Sequence, residues 1–330
     1  MSRRIAESGM DPTTNDVSQP PALKPPDEST IHHIFIGPQG LRSGWRFVLY
    51  VVGFVVLTMA FAQITRAFVP RTHGLPPLWL FLVGEIEQLI AAVLPALALS
   101  HLENRPFDDY GLPHRTAFGK NFWIGAVWGF AAITLLLLSM RGLGNFYFGG
   151  VVLHGIRVLK FAAFWGVLFL TVGLFEEFVT RGYAQFTLAQ GIGFWPAAVF
   201  ISILFGLAHL SNQGEAWIGA LGVVCISLFW CFTLQRTGNL WFAVGMHSAW
   251  DWGETYFYSV PDSGLTMPGH LMSPTFQGSK WITGGPVGPE GSVLLFVLIA
   301  IIWILFDRVY PAKKVVTLPI EIAPEPGPSV

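Results

Sequence analysis

The sequence predicts an all-α fold, a polytopic membrane helix bundle of about eight transmembrane helices around an intramembrane polar cavity. Three observations support this prediction. Of the 330 residues 52% are hydrophobic, only 12% are charged, and the mean hydropathy is +0.54. Soluble domains carry about twice that share of charged residues. Apolar runs of about 20 residues, long enough to cross a bilayer, recur along the chain.

Eight segments are predicted to cross the membrane as helices, because each is close to the length that spans the hydrocarbon core. In chain order they are residues 45–68, 78–100, 121–140, 160–181, 194–210, 216–235, 239–257 and 291–309. The fifth segment is the shortest, and the fourth and seventh carry the most polar residues. Polar side chains within a span face the interior of a bundle, which predicts the cavity.

One membrane-embedded domain is predicted for residues 41–311, because no internal linker is long enough to divide it. Residues 1–40 are rich in Pro, Asp, Thr and Ser and lack the apolar core of a signal peptide. These residues and the Pro-rich end, 312–330, are predicted to be disordered tails. Segment 258–290 is long for a connection, and we expect either a lid or plug over the non-cytoplasmic mouth or a plain surface loop.

Basic residues predict the orientation, since Lys and Arg are enriched in cytoplasmic loops. When the eight segments are threaded with the N-terminus inside, most of the 19 basic residues fall on the cytoplasmic side. We therefore expect an integral, multi-pass protein with both termini cytoplasmic, in the plasma membrane if the source is prokaryotic. The bilayer is its first partner. The net charge of -1 and the lack of a basic stripe argue against nucleic acid as a partner.

Two adjacent acids, Glu176 and Glu177, lie inside the apolar fourth segment and are followed by Arg181. An ionised carboxylate at the bilayer centre costs about 2.5 to 3.5 kcal/mol, so such residues are candidates for function and need a partner. Glu177 and Arg181 are four residues apart and share a helix face, which predicts an ion pair. Glu176 points about 100° away around the helix and has no neutralising residue nearby in sequence.

Three further polar residues lie in apolar surroundings: His209 in the fifth segment, and His247 and Asp251 in the seventh. If the helix that carries Glu176 continues unbroken to Gln190, Glu176 and His209 lie at similar depths, roughly 22 to 24 Å from the turn between their helices. Asp251 reaches nearly the same depth, and His247 lies slightly shallower. A single histidine of this kind is more typical of a hydrogen-bonded core. The shared depth instead predicts one site.

Two other groups of polar residues are interpreted differently. Glu85, Glu87 and Gln88 lie in the second segment, where acids two residues apart cannot share a helix face, and we expect this patch to line a wet cavity. Glu254 and Tyr256 lie near the end of the seventh segment. We expect both of them at the membrane interface.

Three motifs carry the candidate residues: Glu176-Glu177-Phe-Val-Thr-Arg181, Phe205-Gly-Leu-Ala-His209 and His247-Ser-Ala-Trp-Asp251. In order and spacing they resemble the EExxxR, FxxxH and HxxxN/D motifs of the CPBP/Abi family of intramembrane proteases, the Rce1-like type II CAAX prenyl endopeptidases. The resemblance covers about residues 121–257. Asp251 stands where the prenyl-processing members have Asn, which leaves open whether the substrate is prenylated.

The resemblance implies an endopeptidase that hydrolyses a peptide bond of a membrane-associated protein or peptide, with or without a lipid anchor. Glu176 would be the general base for the attacking water, assisted by His209. His247 and Asp251 would bind the scissile carbonyl. An ionised carboxylate only accepts hydrogen bonds, so we interpret Asp251 as orienting His247 or the water.

Metal dependence is left open by the resemblance, which covers both metalloprotease and glutamate-type descriptions. No HExxH motif is present, and we favour hydrolysis that requires no cofactor. Zn²⁺ is the alternative, with Glu176, His209 and His247 as ligands and Glu177 as the base. With Glu176 as the base, Glu177 and Arg181 would support the catalytic residues.

Two other functions stay open. A proton-coupled transporter also needs acids and histidines in the membrane. Such transporters usually show two related halves, and no corresponding acid-rich pair of helices is found here. A non-catalytic scaffold or immunity protein on the same fold would tolerate loss of the motif residues, all of which are present.

Overall fold

The computed structural model describes residues 34–37, 40–69, 77–212, 216–265 and 267–312. The predicted tails lie outside these residues except at their inner edges. Contacts divide the chain into two compact units, with the boundary after Leu41. In the first unit the described residues form a short antiparallel hairpin of β1 (Ile36–Gly37) and β2 (Gly40–Leu41).

The second unit is built from helices that follow the predicted spans closely. Its α-helices are α1 (Ser43–Phe68), α2 (Leu78–Leu102), α3 (Lys120–Gly142), α4 (Ile156–Arg181), α5 (Tyr183–Ile192), α6 (Phe194–His209), α7 (Trp217–Thr237), α8 (Trp241–Asp251), α9 (Lys280–Thr283) and α10 (Val293–Val309). It also contains 3₁₀ helices at Phe107–Tyr110, His114–Thr116, Gly285–Val287 and Pro289–Gly291, a π-helix at Trp252–Phe257, and the antiparallel pair β3 (Phe146–Tyr147) and β4 (Thr275–Phe276). The predicted all-α polytopic bundle is confirmed.

The predicted number of eight spans is not confirmed. Among the described residues, five helices are long and apolar enough to cross a membrane, with α4 and α5 counted together as one. Helix α6 has 16 residues, α8 has 11 and α10 has 17, at or below the usual lower limit of about 17. Helix α8 runs directly into the π-helix, which lengthens it. The short helices α6 and α8 carry the candidate histidines.

The helix that carries Glu176 does not continue unbroken to Gln190, contrary to the expectation from the sequence. Helix α4 ends at Arg181, Gly182 has φ −81° and ψ −126°, and α5 begins at the next residue. A Cβ at position 182 would lie 2.4 Å from the carbonyl oxygen of Phe178, so glycine permits this break. The depth estimate that assumed a continuous helix is therefore wrong in its premise.

Helix α8 is wedged between α3 and α4 by close approaches at glycines. A Cβ at Gly125 or Gly129 of α3 would lie 2.1 or 2.0 Å from a backbone oxygen of α8, and one at Gly245 of α8 would lie 2.1 Å from a backbone oxygen of α3. On the other side, a Cβ at Gly173 of α4 would lie 2.4 Å from Oγ of Ser248. Small residues spaced four apart permit such packing in membranes. This packing sets the position of the polar residues of α8.

The segment between α8 and α10 lies against the helices. Phe146 of β3 pairs with Phe276 of β4, and the amide of Val152 donates to the carbonyl of Leu271 at 2.8 Å. The indole Nε1 of Trp165 donates to the carbonyl of Gly269 at 3.1 Å. The segment therefore packs on α4 and on the connection between α3 and α4, and its role as lid, plug or surface loop stays a prediction.

Candidate active site

A partly open cavity of about 300 Å³ is lined by several helices and by the segment that follows α8. Its polar lining consists of Glu85, Gln88, Glu176, His209, Asn212, His247, Asp251, Thr255, Asp262, Ser263 and Glu290. Its apolar lining includes Phe81, Trp165, Leu168, Phe205 and Trp230. All four residues predicted as catalytic therefore border one cavity.

The ion pair predicted from the spacing of Glu177 and Arg181 is present. Nη1 of Arg181 lies 2.9 Å from Oε2 of Glu177, and both side chains are fully buried. Oε2 has this ionic partner but no donor with hydrogen-bond geometry. Arg181 also donates to the carbonyl and the hydroxyl of Ser227 and lies over the rings of Phe205 and Trp230. The pair thus joins α4 to α6 and α7 beneath the cavity.

The imidazole of His247 on α8 lies close to three carboxylates of the site. Its Nδ1 lies 3.0 Å from Oε1 of Glu177, and its Nε2 lies 3.6 Å from both Oε2 of Glu176 and Oδ2 of Asp251. Trp230 stacks on the imidazole with ring centroids 4.4 Å apart. An ionised carboxylate only accepts hydrogen bonds, so Glu177 holds a proton on Nδ1. Nε2 is directed to the two other acids.

The two adjacent acids of α4 have different environments. The side chain of Glu177 has no exposed area and is held by Arg181 and His247. The side chain of Glu176 is 21% exposed and lines the cavity. Neighbouring helical residues point about 100° apart, which separates the buried acid from the accessible one. Glu176 is the acid of this pair that water or substrate can reach.

His209 lines the same cavity but does not contact Glu176. Its Nδ1 lies 2.9 Å from the carbonyl oxygen of Phe205, and its ring lies against the phenyl ring of that residue. Both Glu176 and His209 are described, and no hydrogen bond or ion pair joins them in the structure. A role of His209 beside Glu176 therefore requires a water or substrate between the two side chains.

Two positioning residues of α7 were missed in the sequence. Ser227 receives two contacts from Arg181, and Trp230 lies between Arg181 and His247. They are three residues apart and therefore lie on one face of α7. The sequence shows a serine one turn from a tryptophan in an apolar helix. This pattern could have indicated the two residues, but it is equally typical of a hydrophobic core.

The polar patch of α2 borders cavities, as expected. Glu85 and Gln88 line the cavity described above and also a neighbouring one of about 350 Å³ between α1 and α2. Glu87 lines only the neighbouring cavity, where it accepts a hydrogen bond from Thr65. Glu85 and Gln88 therefore stand on the wall that the two cavities share.

Glu254 and Tyr256 are buried inside the protein, and their expected position at the membrane interface stays a prediction. Both belong to the π-helix that continues α8, in which Gly253, Glu254, Thr255 and Tyr256 are buried. Nε1 of Trp250 donates to Oε2 of Glu254 at 2.7 Å, and the hydroxyl of Tyr256 donates to the carbonyl of Val158 at 2.8 Å.

Glu254 is part of a second group of acids at one end of the cavity. Glu254, Asp262 and Glu290 each place one carboxylate oxygen within 4.8 Å of the others, and we call them the acidic triad. Burial, together with the charge of Glu290, raises the pKa of Asp262 to about 8. Sequence reasoning missed this group, since Asp262 and Glu290 come from a Gly/Pro-rich segment with no motif.

The residues predicted as Zn²⁺ ligands do not come together as a ligand set. Among the described residues, the acidic triad is the group whose three ligand atoms fall within 4.8 Å of one another, and Glu176, His209 and His247 do not meet that distance. Nδ1 of His209 is directed to a carbonyl oxygen instead. The arrangement does not fit a Zn²⁺ ion held by these three residues.

Comparison with known proteins identifies one family. Residues 158–253 match the model of the family described as Type II CAAX prenyl endopeptidase Rce1-like. The matched segment runs from α4 into the π-helix and includes all three motifs. The predicted resemblance to the CPBP/Abi membrane proteases is therefore confirmed for this segment. No curated protein and no solved structure matches the chain.

Proposed function

We propose that this integral membrane protein, which is similar to the Rce1-like endopeptidases over residues 158–253, is an intramembrane endopeptidase. Its substrate would be a membrane-associated protein or peptide, cleaved by CAAX-type processing or a related reaction. The observation that carries the proposal is the convergence of Glu176, His247 and Asp251 at one cavity within the matched segment. The catalytic roles given below are part of the proposal.

Glu176 is the general base. Its carboxylate is accessible from the cavity and takes a proton from water as the water oxygen attacks the scissile carbonyl carbon. The same carboxyl group then returns the proton to the leaving amine nitrogen when the C–N bond breaks. General acid–base catalysis of this kind accelerates a reaction by about 10²- to 10⁴-fold.

His247 is the group that stabilises the oxyanion. Both of its ring nitrogens face carboxylate oxygens, and ionised carboxylates only accept, so the ring is arranged to donate from both sides. Once the carbonyl oxygen becomes negative, the Nε2–H group donates to it. Asp251 orients the Nε2 side of the ring. Glu177 holds the Nδ1 side, and Trp230 fixes the plane of the ring by stacking on it.

His209 also lines the cavity and acts on the attacking water. The carbonyl oxygen of Phe205 accepts from Nδ1, which leaves Nε2 of the neutral ring as an acceptor for water or substrate. Water placed between His209 and Glu176 would be held by both. The tetrahedral intermediate is formed and resolved without a cofactor, and Zn²⁺ dependence is the alternative outcome of the test below.

The apolar part of the lining indicates how substrate reaches the site. Phe81, Trp165 and Leu168 border the cavity beside the acids, and a lipid-anchored or transmembrane peptide presents an apolar segment to such a surface. Orientation is also part of the proposal. The distribution of Lys and Arg supports cytoplasmic termini, and in a prokaryote the membrane would be the plasma membrane.

The test is cleavage of membrane-anchored peptides by protein purified in detergent. Wild type, Glu176→Ala and His209→Ala are compared with and without a strong chelator, and Glu87→Ala is the matched control because it replaces a membrane acid outside the site. We expect cleavage by wild type and Glu87→Ala, loss in Glu176→Ala, and no loss with chelator that added Zn²⁺ reverses. Full cleavage by Glu176→Ala contradicts the proposal. Loss with chelator and recovery with Zn²⁺ would establish the metal-dependent alternative.

A further inference from the structure

The acidic triad brings together three segments of the chain. Glu254 comes from the π-helix after α8, Asp262 from the turn that follows, and Glu290 from the 3₁₀ helix before α10. Among the described residues, no Lys or Arg forms an ion pair with any of them. Three carboxylates within 4.8 Å repel one another strongly when they are ionised, and protein does not neutralise them here.

A second observation indicates a ligand. The side chain of Glu254 is fully buried, and Trp250 satisfies only its Oε2. Oε1 is buried with no hydrogen-bond partner. Buried polar atoms are almost always paired with protein, water or an ion, so an unpartnered carboxylate oxygen of an acid cluster indicates a place where a cation can bind.

Neighbouring hydroxyls hold the two other acids in place. The hydroxyl of Thr255 donates to Oδ2 of Asp262 at 3.1 Å. The amide and hydroxyl of Ser263 donate to Oε2 of Glu290 at 3.1 and 2.6 Å. Among the described residues, these two carboxylates accept hydrogen bonds through one oxygen each. This is the arrangement by which hydrogen bonds fix metal ligands in proteins.

We propose that Glu254, Asp262 and Glu290 bind a divalent cation that prefers oxygen ligands, and that Ca²⁺ is the best fit. Zn²⁺ favours histidine and cysteine, and neither residue type belongs to the triad. Ca²⁺ binds oxygens at about 2.3 to 2.6 Å, so three oxygens about 4.5 Å apart reach one ion, which is close to the 4.8 Å within which the triad oxygens lie. Mg²⁺ binds at about 2.0 to 2.1 Å and would require the carboxylates to close in.

The bound cation ties the segment after α8 to the helix that carries His247 and Asp251. Asp262 and Glu290 line the same cavity as those residues, so the ion closes that end of the cavity and holds its wall in one position. The site is separate from the proposed peptide hydrolysis. Its test needs no substrate.

Binding of ⁴⁵Ca²⁺ to the full chain, purified in detergent and stripped with chelator, tests the proposal. We expect one Ca²⁺ per chain at or below about 1 mM, and at least about tenfold weaker binding in Asp262→Asn and Glu290→Gln. Asp109→Asn is the matched control because Asp109 is exposed and pairs with Arg105 far from the triad in sequence. This control is expected to bind as wild type does.

Thermal unfolding shows whether a variant fails to bind Ca²⁺ because it lacks a ligand residue or because it is not folded. Without Ca²⁺, Asp262→Asn and Glu290→Gln are expected to unfold at the wild-type temperature or above, because each removes a group that repels the other acids when it is ionised. With Ca²⁺, only wild type and Asp109→Asn gain stability. No Ca²⁺ binding by wild type at about 1 mM overturns the proposal. An equal Ca²⁺-induced rise in Tm in wild type and both triad variants also overturns it.

Discussion

Nδ1 of His247 lies 3.0 Å from Oε1 of Glu177, and this contact joins α8 to α4 inside the membrane domain. Glu177 is at the same time the ion-pair partner of Arg181. The buried acid of the Glu-Glu sequence therefore holds the imidazole, while its neighbour Glu176 stays accessible. Of these two adjacent acids, Glu177 positions the imidazole and Glu176 is available for chemistry.

The first prediction concerns the buried ion pair of Glu177 and Arg181. Glu177→Gln leaves the charge of Arg181 buried and unpaired, and breaking a buried ion pair costs about 3 to 5 kcal/mol. We expect a clear fall in the thermal unfolding temperature of the detergent-solubilised protein. The double variant Glu177→Gln, Arg181→Met removes both charges and is expected to recover part of the loss. A double variant less stable than the single one would argue against the pair as the cause.

The second prediction separates the stacking of Trp230 from general packing. Trp230→Leu removes the ring that lies on His247, and we expect kcat to fall by at least about tenfold with a smaller change in KM. Trp303→Leu is the matched control, because Trp303 packs on Phe229 and Phe232 and not on the site. Steady-state cleavage kinetics measure both variants. Equal losses of kcat in the two would show that Trp230 does not position the imidazole.

The third prediction concerns the close contact of α3 and α8. Gly125→Ala places a Cβ about 2 Å from a backbone oxygen of Phe242, which only a shift of the helices can relieve. We expect a loss of about 1 to 3 kcal/mol in stability, and lower activity because α8 carries His247. Gly84→Ala in α2 is the control, since open space surrounds that position. Its unfolding temperature is expected to stay the same or rise slightly.

The fourth prediction is a dependence of stability on pH. The folded protein raises the pKa of Asp262 from the ordinary value of 3.8 to about 8, by burial and by the charge of Glu290. The stabilising effect of the bound proton is therefore present at low pH and is lost as pH rises between these two values. Thermal unfolding in chelator should show a falling Tm over that range.

Asp262→Asn is the control for the pH prediction, because it removes the titrating group. We expect its Tm to fall less over the same range than that of wild type. Glu254, Glu290, Glu176 and His247 also face or influence this carboxyl group, so a residual slope is expected. A slope as steep in Asp262→Asn as in wild type would exclude Asp262 as its source.

Much of the helical framework follows from the sequence. Apolar runs place every long helix within a few residues of its observed ends, since helix formation in a membrane is forced by the need to satisfy backbone hydrogen bonds. The spacing of Glu177 and Arg181 predicts their ion pair, because a helical turn is a local property. Long apolar runs thus predict the helices, and short spacings predict contacts within one helix.

Contacts between distant segments were less predictable. The estimate of equal depth in the membrane predicted that His209 lies beside Glu176. In the structure His247 faces Glu176, and Nδ1 of His209 contacts the carbonyl oxygen of Phe205 on its own helix. The break at Gly182 and the π-helix that buries Glu254 both depend on neighbours that the local sequence does not specify.

The sequence by itself determined the class of fold, the positions of the helices and the motif residues that belong to the Rce1-like pattern. Only the tertiary structure decided which carboxylate faces His247, that Trp230 holds the imidazole, and that Glu254, Asp262 and Glu290 converge. The physical reason is that helix periodicity acts over a few residues. Rotation and approach of whole helices are set by packing between segments far apart in the chain, such as the glycine contacts of α3 and α8.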